Sequence, residues 1–379
     1  MVHTQVSMRS YETGQWALEM DANLAKDRAW ANGLGDDIEW TWLLPPEYRR
    51  SPEWRKGVPE RVNVAATSWP YNVQAARYHF QFEENLRVVK QWKPDLMILE
   101  VPEHARAWRM VQEHLGVSFP IVSYMNYLGG VSWLLKRNDR TDTRIRMWDG
   151  LDASDLIVFN TPGLMERWRE TLPDSWFPWL AHKSTVWRAS YSPVEFTYQP
   201  GGTRSRPVLN FTSRLTDEDR TRWPQLFVAA GRIEGLDVWV GNPNRAQTID
   251  AVADRLGRRP ERFGYASREE YVRSMADAAI STTFWPQDDV YSTAYCDTIA
   301  SGTIPIVAAL DPESVAGIAV KPNASVSEIE AALRRAMSLW NDRDEAVRFC
   351  RANFEWLMNN RSVERNGKQM REDMEALLA

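Results

Sequence analysis

The sequence has little of the chemistry that metal sites and disulfides require. It contains two cysteines, Cys296 and Cys350, and five histidines among 379 residues. No group of cysteines and histidines has the spacing of metal ligands. We therefore expect free thiols, a reducing compartment and a site that works without a metal ion.

Long apolar runs and an excess of positive charge are also lacking. No segment approaches the roughly 18 apolar residues that a membrane span needs, and the N-terminal stretch "MVHTQVSMRSYETGQW" has no apolar signal core. The net charge of −5 gives no overall basic field that would attract nucleic acid or anionic lipid, although a local basic patch stays possible. We expect a protein of the cytoplasm without a membrane partner.

What the sequence does contain is a regular alternation of short apolar runs and helical patterns, which predicts α/β architecture with parallel sheets. The pattern stops around 188–206, a stretch rich in proline and glycine, and then restarts. We therefore predict two doubly wound, Rossmann-like domains, 1–195 and 205–360, followed by a helix at 361–379 that returns to the first domain. Ligands bind outside the carboxyl ends of such strands, so we expect a cleft between the domains. The predicted strands are 61–67, 95–101, 120–126, 155–161, 207–213, 237–243, 278–284 and 303–308; the predicted helices are 72–92, 104–116, 162–172, 222–233, 246–257, 267–278, 325–339, 343–358 and 363–378.

The stretch "WPQDDVYSTAYCDTIASGTIPIV" (285–307) places two acids eight positions apart, one before a helix and one inside it. Asp289 follows a predicted strand, and Asp297 falls about one turn into a helix that ends at Gly302. The first N–H groups of such a helix form an anion site, and the two carboxylates could bind sugar hydroxyls on either side of a phosphate. The alternative is that Asp289 is a surface acid and Asp297 an ordinary helix-face acid. The N–H groups in question belong to Tyr291, Ser292 and Thr293.

The same stretch resembles the signature of retaining glycosyltransferases with the GT-B fold, in which two glutamates separated by seven residues precede a small-residue segment and a strand. The resemblance implies that Asp289 contacts hydroxyls of the donor sugar and that Asp297 contacts the ribose of a nucleotide. Both positions carry aspartate here, one methylene shorter than glutamate. The resemblance implies a nucleoside diphosphate sugar as donor, and we expect a UDP-sugar with no metal required.

Two further stretches resemble the same family. In "VLNFTSRLTDEDRTRWPQLFVAA" (208–230), Arg214 matches an arginine that binds the donor diphosphate, and Arg220 is the best candidate for the accompanying lysine, although out of register by one residue. Both arginines could instead pair with acids of their own loop. In "RFGYASREEYVRSMADAAI" (262–280), the backbone of the first residues is expected to meet the base. We therefore expect donor contacts at Phe263, Gly264 and Tyr265. In the first domain, Gly14 lies at the expected first strand-to-helix turn, where a glycine lets the backbone approach a phosphate or an acceptor; a plain turn is the alternative.

The acceptor is a separate question, for which the sequence offers two locally basic segments with interleaved aromatics, 48–61 and 136–146. They suit a polyanion, and phage enzymes that glycosylate hydroxymethylated DNA bases resemble compact GT-B transferases of this kind. For a phage-encoded protein the expected compartment is the cytoplasm of the host. Alternatives are a protein or glycan acceptor, a carbohydrate-binding module without turnover, a sugar-nucleotide epimerase of the same fold, or solvated loops with no partner. The cations that we expect to contact DNA are Arg50, Arg55, Lys56, Arg140 and Arg144.

Overall fold

The computed structural model divides the chain into two compact units, Met1–Ser190 with Val363–Ala379, and Tyr191–Ser362. None of the helices in the described ranges is both long and apolar enough to cross a membrane. The structure describes residues 2–5, 24–44, 54–66, 71–72, 77–78, 82–100, 102–125, 148–172, 177–212, 215, 222–241, 248–264, 267–284 and 292–379.

The first unit is built on a seven-stranded sheet in the order β3-β2-β1-β6-β7-β8-β9, and every pairing in it is parallel. A separate antiparallel pair, β4-β5, lies outside this sheet. The strands are β1 Val2–Gln5, β2 Trp40–Leu44, β3 Val62–Ala66, β4 Tyr71–Asn72, β5 Arg77–Tyr78, β6 Leu96–Leu99, β7 Ile121–Met125, β8 Leu156–Phe159 and β9 Ser184–Val186; the helices are α1 Leu24–Gly33, α2 Phe82–Trp92, α3 Ala105–Leu115, α4 Pro162–Thr171, α5 Phe177–Ala181 and, at the C-terminus, α12 Val363–Leu378.

Central strands of this sheet are buried along their whole length, as parallel strands covered on both faces should be. The last helix, α12, completes the core, since Val363, Met370 and Met374 pack in one cluster with Trp30 and strand residues of the sheet. The indole Nε1 of Trp187 donates to Asp373 over 2.7 Å.

One predicted helix, 72–92, begins ten residues later than expected, at Phe82. The pairs Tyr71–Asn72 and Arg77–Tyr78 form a short antiparallel ladder in its place. The physical reason lies in the acids: Glu83 and Glu84 occupy the first turn, where the positive end of the helix dipole favours a negative charge.

The second unit has a six-stranded, all-parallel sheet in the order β12-β11-β10-β13-β14-β15. The order runs outward in both directions from the neighbours β10 and β13, which makes their carboxyl ends a topological switch point. The expected parallel α/β architecture is thus confirmed. The strands are β10 Val208–Phe211, β11 Asp237–Val240, β12 Arg262–Phe263, β13 Ile280–Thr283, β14 Ile304–Ala308 and β15 Ile318–Val320; the helices are α6 Trp223–Gly231, α7 Thr248–Leu256, α8 Arg268–Asp277, α9 Thr293–Ser301, α10 Val326–Asn341 and α11 Arg343–Arg361.

Helix α9 carries the small-residue signature and has well-defined ends. Ser292 caps its N-terminus and accepts a hydrogen bond from the N–H of Tyr295, and Gly302 closes it with a φ of 83°. The Tyr295 hydroxyl donates to the carbonyl of Ala316 at 2.9 Å and accepts from the N–H of the same residue at 2.6 Å. Both predicted ends are confirmed, and the helix is fixed in place by its buried side.

Candidate functional site

The switch point of the second unit brings two loop-bearing strand ends together. Phe211 at the end of β10 is paired with Thr282 of β13. The hydroxyl of Thr212 donates to the carbonyl of Thr282 at 3.2 Å and lies 3.4 Å from the Thr283 hydroxyl. The segments that follow these strands therefore leave the same edge of the sheet from neighbouring points, and each carries residues that the sequence singled out.

Several of those residues lie outside the described residues, so their roles stay predictions. The described candidates are Ser292, Thr293, Asp297, Phe263 and Gly264 in the second unit, with Arg55 and Lys56 in the first. Those outside the described residues are Arg214, Arg220, Asp289, Tyr291, Tyr265, Gly14, Arg50, Arg140 and Arg144.

At the start of α9, Ser292 is half-buried and Thr293 is buried. The amide groups of the first turn of a helix have no acceptor within the helix, and the dipole adds partial positive charge there. The segment before this turn follows β13 from the switch point. The geometry thus points the positive end of α9 toward the edge of the sheet where ligands bind in open α/β folds.

Asp297, in the second turn of α9, is 2% exposed and is surrounded by groups of the protein itself. Its Oδ1 accepts a hydrogen bond from the hydroxyl of Tyr191 at 2.6 Å, and its Oδ2 accepts one from the hydroxyl of Tyr271 at 2.9 Å. Burial raises the pKa of the Asp297 carboxyl above its usual value, although Arg268 and the two tyrosine hydroxyls oppose that rise. The ribose contact that the resemblance implies for this residue stays a prediction, while the geometry supplies a different set of partners.

Arg268, the first residue of α8, provides the positive charge beside this carboxylate. Its Nη1 lies 3.6 Å from Oδ2 of Asp297, and its Nε and Nη2 donate to Oε2 of Glu195 at 3.1 and 2.8 Å. The guanidinium also lies over the rings of Phe196 and Tyr271, at 5.4 and 5.0 Å from their centroids. Burial alone would lower the pKa of Arg268, but the charges of Asp297 and Glu195 outweigh it and raise the pKa.

The predicted base-binding segment begins at the edge of the same sheet. Phe263 ends β12 and pairs with Val240. Gly264 follows with a φ of 89°, a left-handed conformation that strongly favours glycine, and its N–H donates to the carbonyl of Val240 at 2.8 Å. Helix α8 then starts after Ser267, whose hydroxyl caps it by accepting a hydrogen bond from the N–H of Glu270 at 3.1 Å. A turn of the backbone thus lies at the carboxyl end of this strand, and the expected contact with the base stays a prediction.

Sequence reasoning missed the partners of Asp297. Tyr191 is 106 positions away and Tyr271 is 26 away, so no local spacing links them to the signature. Tyr191 and Glu195 lie in the stretch that reads as a linker, where the pattern gave no reason to expect a buried hydrogen bond. These hydrogen bonds to Asp297 become visible only in the folded chain.

A second buried charge cluster lies at the switch point of the first unit. Glu100 directly follows β6, whose neighbour across the sheet is β1. Lys26 of α1 forms an ion pair with Glu100, and its Nζ lies 2.8 Å from Oδ2 of Asp27. The ammonium also lies 4.9 and 5.0 Å from the ring centroids of Trp30 and Tyr124. This lysine is 2% exposed, and no sequence pattern indicated that it would be.

Within the described ranges, no group of three or more His, Cys, Asp or Glu side chains is arranged to hold a metal ion.

Comparison with known proteins gives structural likeness over the whole chain at low sequence identity. Sucrose-phosphate synthase from Thermosynechococcus elongatus matches with a TM-score of 0.69 and 13% identity, covering 100% of this chain and 99% of that one. HepE of Anabaena in complex with UDP-glucose matches with a TM-score of 0.67 and 11% identity, covering 99% of both chains. An alpha-glucosyltransferase in complex with UDP-glucose and DNA containing an abasic site matches with a TM-score of 0.62 and 12% identity, covering 98% of both.

No family model matches the sequence. A protein of Sinorhizobium fredii, y4mH, is 30% identical over 101 residues, which cover 24% of this chain and 32% of that protein. The structural matches show that the chain has the GT-B fold of glycosyltransferases, and the predicted fold class is confirmed.

Proposed function

We propose that this protein is a glycosyltransferase that moves a sugar from a UDP-sugar to a hydroxyl acceptor with retention of configuration at the anomeric carbon. The observation that carries the proposal is the start of α9 at the switch point of the second unit, in a fold whose structural neighbours include complexes with UDP-glucose. Retention rests on the resemblance of 285–307 to the retaining family.

Transfer of the sugar from a UDP-sugar requires the protein to stabilise the negative charge on the departing diphosphate. The amides at the start of α9, around Ser292 and Thr293, favour an anion there without any proton transfer. Arg214 and Arg220, in the segment after β10, add charge-assisted hydrogen bonds to the phosphates, and such groups act most strongly when charge develops in the transition state. Asp289, in the segment after β13, binds hydroxyls of the transferred sugar.

Removing either arginine should weaken the binding of UDP. We expect Arg214→Ala and Arg220→Ala each to raise the dissociation constant at least tenfold, about 1.4 kcal/mol, because a phosphate contact is lost. Isothermal titration calorimetry with UDP measures the effect. Arg334→Ala is the matched control, since Arg334 is exposed and pairs with Glu330 on α10.

Unchanged affinity in both arginine variants would remove them from the diphosphate site. The wild-type protein is also incubated with a panel of nucleotide sugars without acceptor, and the products are read by mass. Slow release of UDP supports a transferase, whereas binding without release favours a carbohydrate-binding module.

For the acceptor we propose a 5-hydroxymethyl pyrimidine of DNA. Arg55 and Lys56 lie exposed on the short 3₁₀ helix Trp54–Gly57, within one of the two basic segments. One structural neighbour is in complex with UDP-glucose and DNA. A base reaches an enzyme site only when it is flipped out of the stack, which requires phosphate contacts on either side. A protein or glycan hydroxyl is the alternative acceptor.

Replacing Arg50, Arg55, Lys56, Arg140 and Arg144 with alanine should abolish transfer to hydroxymethylated DNA while leaving hydrolysis of the donor unchanged. Each neutralised phosphate makes the slope of log affinity against log salt more negative by about 0.9, so binding should weaken steeply between 50 and 300 mM salt. Gel-shift and transfer assays measure both effects. The control replaces five exposed cations elsewhere, Arg334, Arg335, Arg351, Arg365 and Lys368. If the wild type fails to bind DNA at 50 mM salt, or the first variant transfers as well as the wild type, the acceptor is a protein or a glycan.

A further inference from the structure

A groove of about 250 Å³ runs along the outer edge of the sheet in the first unit. One of its walls is strand β3, the end strand of the described sheet. Val64 and Ala65, in the middle of this strand, both line the groove, although successive residues of a strand point to opposite faces. The groove therefore follows the outer edge of β3 and is separate from the carboxyl ends of the strands, where ligands bind in open α/β sheets.

Helix α2 forms the other wall with one face. The residues that it contributes recur at positions i, i+3, i+4, i+7 and i+8, the spacing of a single helix face. They are Glu84, Arg87, Val88, Gln91 and Trp92. Val88 is 6% exposed and belongs to the core, whereas the other four side chains are half-buried or exposed. The groove thus has an apolar base and a rim that is polar except for one indole.

The three polar side chains of the rim are available to a ligand. Within the described ranges, the hydrogen bonds and ion pairs of the protein do not involve the side chains of Glu84, Arg87 or Gln91. A carboxylate accepts hydrogen bonds, a guanidinium donates them, and an amide does both. One negative and one positive charge leave the groove without a net charge, so it favours neither an anion nor a cation. Hydroxyl groups, which are neutral and both donate and accept, match this set.

Trp92 adds an apolar surface to these polar groups. Its indole is half-buried, whereas Trp108 of the neighbouring helix α3 is fully buried. A pyranose ring has a face of C–H groups, and burial of that face against an aromatic ring is favourable in water. Apolar surface beside a few polar groups is the usual composition of a small-molecule site, and the volume lies below the roughly 300–1,000 Å³ of pockets for drug-sized ligands. The groove therefore suits one sugar ring.

We propose that this groove binds a neutral pyranose unit, at a site in the first unit that is separate from the donor site at the start of α9. The indole of Trp92 packs on the C–H face of the ring, and Glu84, Arg87 and Gln91 bind its hydroxyls. The sugar is held there without being changed. The inference goes beyond the proposed function and does not depend on it, because binding in the groove requires neither a nucleotide nor turnover.

The test titrates the wild-type protein with the methyl α-pyranosides of glucose, galactose and mannose and follows binding by saturation-transfer NMR. From the affinity that small ligands gain per atom, we expect at least one of the three to bind with a dissociation constant of about 1 mM. Addition of UDP-glucose should leave this binding unchanged. Failure of all three to bind at up to about 20 mM, or displacement of the bound sugar by UDP-glucose, would overturn the proposal.

Variants of the groove then locate the bound sugar. Arg87→Ala and Gln91→Ala remove exposed side chains, so both variants should fold, and each should weaken binding at least threefold because a hydrogen-bonding group is lost. Trp92→Ala should weaken binding about tenfold or more, with circular dichroism to verify the fold. Trp179→Ala is the matched control, because Trp179 is an exposed tryptophan of the same unit, and its affinity should equal that of the wild type. Wild-type affinity in both Arg87→Ala and Gln91→Ala would place the sugar elsewhere and exclude the groove as its site.

Discussion

Lys26→Met should lower the free energy of unfolding by about 3–5 kcal/mol, the usual cost of removing one partner from a buried ion pair. The substitution keeps most of the side-chain volume and deletes the ammonium between Glu100 and Asp27. Two buried carboxylates then lose that cation, and the rings of Trp30 and Tyr124 lose a favourable contact with it. Urea denaturation followed by tryptophan fluorescence measures the loss.

Lys56→Met is the control for Lys26→Met, because Lys56 is exposed and its loss should change stability by no more than about 0.5 kcal/mol. The double variant Lys26→Met with Glu100→Gln should be more stable than Lys26→Met alone, since one of the buried charges is then absent. A single variant within 1 kcal/mol of the wild type would contradict the role given to this cluster.

Gly302→Ala should be the most damaging alanine substitution within the small-residue signature. Gly302 has a φ of 83°, and a Cβ there would lie 2.8 Å from the carbonyl carbon of Gln199 and 2.9 Å from the nitrogen of Pro200. The left-handed backbone costs about 1–2 kcal/mol for a residue with a side chain, and crowding against backbone adds about 1–3 kcal/mol. We expect a total loss of about 2–5 kcal/mol in the free energy of unfolding, together with weaker UDP binding because α9 must shift.

Gly257→Ala separates the two costs of the Gly302 substitution. Gly257 follows α7 with a φ of 74°, but nothing lies within 4 Å of the Cβ that alanine would add. The Gly257→Ala variant should therefore lose only the cost of placing a side chain on a left-handed backbone, about 1–2 kcal/mol in the free energy of unfolding. Equal losses in the two variants would mean that the packing of Gly302 against Gln199 and Pro200 contributes nothing.

The sequence predicts best what depends on neighbouring residues. The start of α9 at Ser292 and its end at Gly302 follow from local hydrogen bonding and backbone conformation, and both are as expected. Strand β1, with the sequence VHTQ, has no such local signal. Its conformation comes from parallel pairing with β2 on one side and β6 on the other, so tertiary contacts decide it.

In the candidate site, too, some features follow from neighbouring residues and others depend on tertiary contacts. The two acids and the helix that contains the second of them could be found from spacing, because an N-cap and a glycine stop mark the helix. The environment of Asp297 could not, since it is made by Tyr191, Tyr271 and Arg268, which are distant from Asp297 along the chain. The same holds for Lys26, whose burial depends on Glu100 at the end of a distant strand.

The first unit is discontinuous, and this has a consequence for biosynthesis. Its core includes Val363, Met370 and Met374 of α12, which leave the ribosome only after the whole of Tyr191–Ser362 has been made. Domains generally fold as they emerge, N-terminal parts first. In this protein the apolar surface around Trp30 and Leu34 stays uncovered until α12 has been synthesised, and the second unit can fold before the first is complete. A chaperone that holds nascent chains would therefore act on the part of this protein that is made first and finished last.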